Sequence, residues 1–213
     1  MTPTNKQGQR LGRKGEESRR RLLDATLSLI KVEALHKLSA SRIAREAGMS
    51  SQSFYLYFKD MDDILLALSE EPAVDAAEVA AVLANAPYDL APESAARTLV
   101  TAYSEYWNRH RAILNVRNYI ADSGNMAFLK LRQNTTMPII YAVADRILVA
   151  QPTGKLDRAS AVARAVIVYL AMERMAARSD AVQYSPLDVG AVDLIQAEIE
   201  ILAQLFTRTQ GRS

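Results

Sequence analysis

The sequence predicts an all-α protein, and three observations lead there. Helix breakers are scarce, with 8 Gly and 7 Pro in 213 residues, about half the share of an average protein. Alanine, the strongest helix former, occurs 34 times. Apolar residues recur at spacings of three and four, with almost no alternation of polar and apolar residues. No strand is predicted.

Composition narrows the class further. A 49% hydrophobic and 23% charged chain is ordinary for a soluble globule and excludes wholesale disorder. No run approaches 18 apolar residues, so no membrane span and no membrane partner are expected. The basic, polar N-terminus has no apolar core of a secretory signal, so the expected compartment is the cytoplasm. Cysteine is absent, which removes disulfides, thiol chemistry and Cys-ligated zinc. Only His36 and His110 offer imidazoles, too few for a His-rich metal site. Charge is uneven: residues 1–60 carry +6, and the remainder carries −4. A basic front end on an acidic body suggests a segment that binds a polyanion.

The elements follow in order. Residues 1–15 read as a flexible basic arm with Lys6, Arg10, Arg13 and Lys14. A first helix is expected over Glu16–Val32, with acids in its first turn and a stripe of Leu23, Leu27 and Ile30. A second covers Ala40–Ala47 behind a cap at Ser39 or Ala40. Ser50 caps a third that runs to about Phe58. A fourth begins near Met61, and Pro72 is expected to bend or interrupt it before it resumes to about Asn85. Further helices are expected at about 92–108, 110–121, 125–149, 156–179 and 188–208. The breaks lie at Arg109-His110, Ser123-Gly124, Gln151 to Gly154 and Ser185-Pro186, and a kink is expected at Pro138.

The stretch from Ser39 to Phe58 carries the chemistry. Two short helices crossing steeply over a tight turn need a small residue at the crossing, a turn residue tolerant of positive φ, and an apolar residue facing back. Ala44, Gly48 and Phe54 supply these, and Ile43 and Ala47 complete the inner face. This is the spacing of a helix-turn-helix.

On these residues the chain resembles the TetR family of transcriptional regulators. The matching pieces are Ile43-Ala44-Arg45-Glu46-Ala47-Gly48-Met49-Ser50, then Phe54-Tyr55-Leu56-Tyr57-Phe58-Lys59-Asp60, then Asp63-Ile64-Leu65. Trp107-x-x-His110-Arg111 and Met172-Glu173-Arg174 are similar to the EthR-like branch. The resemblance implies three parts: the arm 1–15, a three-helix DNA-binding domain over 16–60, and a larger helical effector-binding and dimerisation domain over 61–213.

A recognition helix presents its N-terminal residues to base edges in the major groove. Here these are Ser51, Gln52 and Ser53, and Gln52 is the best base reader because an amide bonds adenine N6 and N7 together. Tyr55 and Tyr57 carry hydroxyls suited to phosphate, and the resemblance implies that both clamp backbone. Ser39, Arg42 and Lys59 are further candidate contacts, and Leu56 suits a thymine methyl. Met61 departs from the family, which has a basic residue there. Arg10, Arg13 and Lys14 are expected to compensate from an adjacent minor groove.

In the body, aromatic and Met residues at helical spacing give a candidate effector site: Tyr103, Trp107, Leu114, Asn118, Phe128, Met137, Tyr141, Tyr169, Met172 and Glu173. An apolar or aromatic effector of moderate size is expected. Val189, Val192, Ile195, Ile199 and Leu202 form a stripe on the last helix, expected to face a second copy in a two-fold four-helix bundle. No Gly-rich phosphate loop, GxSxG, HExxH or Cys/His dyad occurs, so no catalytic residue, metal or cofactor is expected. The sequence thus predicts a repressor. It binds a palindromic double-stranded DNA operator as a homodimer and is released by a small-molecule effector. The alternatives are a transcriptional activator, or a helical dimeric interaction protein that kept the helix-turn-helix fold without specific DNA binding.

Overall fold

The computed structural model describes residues 12–87, 91–151, 156–177 and 190–208. Among these, the chain forms α1 (Arg13–Val32), a short 3-10 turn (Leu35–Lys37), α2 (Ala40–Glu46), α3 (Ser51–Tyr57), α4 (Met61–Leu68) and α5 (Glu70–Ala84). Then come α6 (Pro92–Asp122), α7 (Met126–Ala150), α8 (Arg158–Ala177) and α9 (Ala191–Phe206). The described residues contain no strand. They fall into two compact units. The first is residues up to Glu71 with Ala112–Lys130, and the second is Pro72–Arg111 with Leu131 onward.

In the first unit the core gathers Leu22, Ala25 and Leu29 of α1, Ile43 and Ala44 of α2, Phe54, Phe58, and Ile64 and Leu65 of α4. The inner face of α1 is therefore one residue out of phase with the expected stripe. Leu23, Leu27 and Ile30 are half-buried flank residues. Ile113, Ala121 and Phe128 join the same core from α6 and α7.

Local chemistry sets the element ends. Ser39 Oγ accepts from Arg42 N at 3.2 Å, Ser50 Oγ from Ser53 N at 3.3 Å, and Asp60 Oδ1 from Asp63 N at 3.0 Å. Each is an N-cap that satisfies an otherwise orphaned donor. The break before Pro72 falls at Ser69, whose hydroxyl donates to Leu65 O at 2.8 Å. Pro72 then sits in the first turn of α5, where its missing N–H costs nothing.

The second unit packs Tyr103, Tyr106 and Trp107 of α6 with Tyr169 and Met172 of α8 and Ile199 and Leu202 of α9, all buried. The Tyr103 and Tyr169 rings stand 5.7 Å apart, edge to face. The expected break at Arg109-His110 is absent, and α6 runs unbroken through both. Neither residue lacks a backbone donor or favours positive φ. Both side chains grip Asp75 of α5, Arg109 Nη1 at 2.6 Å and His110 Nε2 at 2.8 Å. The His110 contact, then that of Arg109, holds the Asp75 carboxyl below its ordinary value.

Candidate functional site

The recognition helix α3 is short, and the two sides of it differ sharply. Phe54 is fully buried and packs on Phe58 with ring centroids 5.7 Å apart. On the other side Ser51, Gln52, Tyr55 and Leu56 face solvent, with Leu56 60% exposed. A large apolar side chain that open on a seven-residue helix has no role in its own core. Gln52 is exposed at the N-terminal end of the helix. Ser53 is half-buried, and its hydroxyl lies 2.9 Å from that of Ser50. Tyr55 meets Phe54 edge to face at 5.3 Å, which sets its ring while the residue stays exposed. Tyr57 is half-buried against the core.

Around α3 the other candidates divide. Lys59 is exposed, and its ammonium lies 3.9 Å from Asp60, a loose pair that leaves it available to phosphate. Ser39 is exposed, and its hydroxyl oxygen caps α2 as an acceptor while its proton remains able to donate. Arg42 is engaged within its own chain. Its guanidinium donates to Glu46 at 2.8 Å and to Glu33 at 2.7 Å. Those bonds, Glu46 first, raise its pKa further. It braces the exit of α1 to α2. Met61 packs against the core, which accounts for an apolar residue there. Arg13 and Lys14 belong to α1, and Arg13 pairs with Glu17 at 3.4 Å. Arg10 lies outside the described residues.

The ten effector candidates fall in both units. Leu114, Asn118 and Phe128 belong to the first unit, and Phe128 completes its core. Arg117 donates to Asn118 at 3.2 and 3.1 Å. Tyr141 is exposed, with the Arg158 guanidinium 5.8 Å from its ring centre. It therefore faces outward. Met137 is half-buried in the second unit. Tyr103, Trp107, Tyr169 and Met172 do share a core there, with Glu173 half-buried on the same helix as the last two. The Tyr103 hydroxyl is buried beside Tyr169 and Trp107 without a well-aligned hydrogen bond. Burial, then the nearby Tyr169 and Glu173, push its pKa well above the usual phenol range.

The dimer candidates also split. Val189 lies outside the described residues. Val192 and Ile195 face solvent, whereas Ile199 and Leu202 are buried within their own chain and closed to a second copy. Sequence reasoning missed Ile167 and Leu170 on α8, which with Ile201 on α9 are large apolar residues exposed to solvent. Their spacing is helical, yet spacing does not tell which face a helix leaves open. No metal-binding cluster occurs among the described residues, and no described helix is long and apolar enough to cross a membrane.

Comparison with known proteins matches this geometry. The profile of bacterial regulatory proteins of the tetR family covers residues 22–68. That of the tetracyclin repressor-like C-terminal domain covers residues 88–206. A fatty acid metabolism regulator protein of Bacillus subtilis is 38% identical over 50 residues, 24% of this chain and 26% of that protein. YdgC of the same organism, an HTH-type transcriptional regulator, is 42% identical over 55 residues, 26% and 28% of the two chains. The chain thus aligns with about a quarter of the length of these curated relatives. Among solved structures, the fatty acid degradation regulator FadR of Bacillus halodurans superposes with a TM-score of 0.65 at 14% identity, over 92% of this chain and 97% of that one. A TetR-like regulator of Rhodococcus sp. RHA1 gives 0.63 at 20% identity, over 92% and 96%. At such identities the likeness concerns the fold. None of these matches supports the narrower EthR-like branch. The family comprises regulators of transcription and not enzymes. With a capped helix-turn-helix inside one profile and more than half of the chain inside the other, the protein belongs to the TetR family of DNA-binding transcriptional regulators.

Proposed function

We propose that the chain is a cytoplasmic repressor that binds a palindromic operator as a homodimer and releases it when a small apolar or aromatic effector binds. The exposed face of α3 carries this reading: Ser51, Gln52, Tyr55 and Leu56 stand in solvent opposite the buried Phe54. Gln52 reads a base, Ser51 and Ser53 permit close approach, and Tyr55, Tyr57, Ser39 and Lys59 hold phosphates. Arg42 acts as a brace.

The dimer rests on the exposed Ile167, Leu170, Val192, Ile195 and Ile201 of α8 and α9, a large apolar surface for an isolated chain. The effector site draws on Tyr103, Trp107, Tyr169, Met172 and Glu173, mostly apolar walls with one hydroxyl that lacks a well-aligned hydrogen bond. Two relatives regulate fatty acid metabolism or degradation. An acyl chain is therefore the first effector to try.

Selection from a random duplex pool tests the proposal. A palindromic site should emerge, bound by a dimer with steep loss of affinity in salt. Gln52→Ala should relax preference at one position per half-site, by about 1–3 kcal/mol. Medium- and long-chain fatty acids, added singly, should release the selected duplex. No enrichment over nonspecific binding would overturn the regulator reading and leave an interaction protein with a retained fold. Binding that strengthens with the fatty acid would convert the repressor to an activator.

A further inference from the structure

We propose that Arg21 of α1 is a positioning residue that fixes the angle of the recognition helix without touching DNA. The helix-turn-helix turn runs from Ala47 to Ser50. Within it, Met49 N donates to Ala44 O at 2.8 Å and Gly48 N to Arg45 O at 3.0 Å. The carbonyl of Ala47, at the negative end of α2, has its partner elsewhere: Arg21 Nη2 donates to it from 26 residues away. A guanidinium on the last carbonyl of a helix satisfies an orphan acceptor and opposes the helix dipole.

Three further facts make this contact a constraint on α3. Arg21 precedes Leu22, which is fully buried in the core shared by α1, α2 and Phe54. Its base is therefore fixed on a packed helix. Gly48 has φ +65, and a Cβ there would stand 3.1 Å from Arg21 Nη2, so the guanidinium occupies the space that glycine leaves. Arg42 already ties the start of α2 to Glu33 at the end of α1. Together the two arginines hold α2 at both ends, and α3 leaves directly from the end that Arg21 holds.

The inference rests on α3 being the base-reading helix, and the test separates the two claims. Arg21→Met keeps the aliphatic stem and removes the bond. Arg21→Lys keeps the charge but not the guanidinium. Amide hydrogen exchange is followed at Gly48 and Met49, with Leu29 as the internal reference. Affinity for the duplex selected by the wild type is compared with that for a scrambled duplex across a salt series. Arg21→Met should speed exchange at Gly48 and Met49 but not at Leu29. It should cut the selected-to-scrambled ratio by roughly tenfold, the scale of one lost base contact, while scrambled-duplex affinity and the salt slope stay at wild-type values. Arg21→Lys should lose less of the ratio. In Arg21→Met the added effect of Gln52→Ala should shrink, because the reader is already out of register.

Unchanged exchange at Gly48 and Met49 would overturn the proposal whether or not a duplex is selected. Equal loss on both duplexes, with the salt slope smaller by about one, would overturn it too, because Arg21 would then be a phosphate contact. A wild type that selects nothing would sink the regulator reading alone, and the exchange result would still decide the turn.

Discussion

Glu198 on α9 is 7% exposed, and its Oε1 has no hydrogen-bond partner. Burial alone pushes its pKa from 4.5 to about 7. The folded state thus favours the neutral acid and the unfolded state the carboxylate. The stability that accompanies this shift is fully present below the unfolded pKa and is lost as pH rises through about 7. A shift of this size corresponds to about 3 kcal/mol, at 1.36 kcal/mol per pKa unit. Glu198→Gln replaces the acid with a neutral side chain of the same shape. Urea unfolding of both proteins from pH 5 to 8.5, at one protomer concentration, isolates the effect because the remaining groups cancel in the difference. At pH 5, half a unit above the unfolded pKa, the variant should lead by less than about 1 kcal/mol. By pH 8.5 the variant should be the more stable, by up to about 3 kcal/mol. A pH-independent difference would refute the reasoning. So would a wild type that is the more stable at pH 8.5, because the carboxylate would then be charged and paired, most directly by a second copy lying on α9.

Three further outcomes are expected. Tyr103→Phe removes a buried hydroxyl that lies beside Tyr169 and Trp107 without a well-aligned hydrogen bond and should raise stability by about 1 kcal/mol in urea unfolding; a loss would show that one of those contacts is a true hydrogen bond. Gly48→Ala forces a Cβ into a left-handed backbone 3.1 Å from Arg21 and should cost about 1–2 kcal/mol; a neutral result would mean the turn relaxes to another conformation. Asp60→Ala deletes the N-cap of α4 and should cost about 1 kcal/mol by thermal or urea unfolding, with no cost expected if Asp62 or Asp63 takes over the cap.

The helix-turn-helix was legible because its determinants are local. Ser39, Ser50 and Asp60 each bond an amide three residues on, and a residue type at a short offset is what a sequence displays openly. Ala44, Gly48 and Phe54 fall where expected for the same reason. The brace at Arg42 was not legible because its second partner, Glu33, lies nine residues back across an irregular segment. A basic residue at the start of a DNA-binding helix looks the same whether it meets a phosphate or a carboxylate. Arg21 was passed over because a separation of 26 residues leaves no periodic trace.

The effector candidates divide between the units for a different reason. Phe128 and Leu131 sit three apart on α7, and that spacing places them on one face of one helix. It does not place them in one core. Phe128 belongs to the first unit and Leu131 to the second, because α7 passes from one unit to the other between residues 130 and 131. The same holds for Trp107 and Leu114 on α6, which changes unit between 111 and 112. Periodicity reports the face of a helix, and a helix shared by two units presents its face to two different interiors. Where the hydrophobic pattern continues without a break, the sequence carries no mark of the crossing. The core that Phe128 shares with distant residues such as Leu22 and Phe54 reveals it.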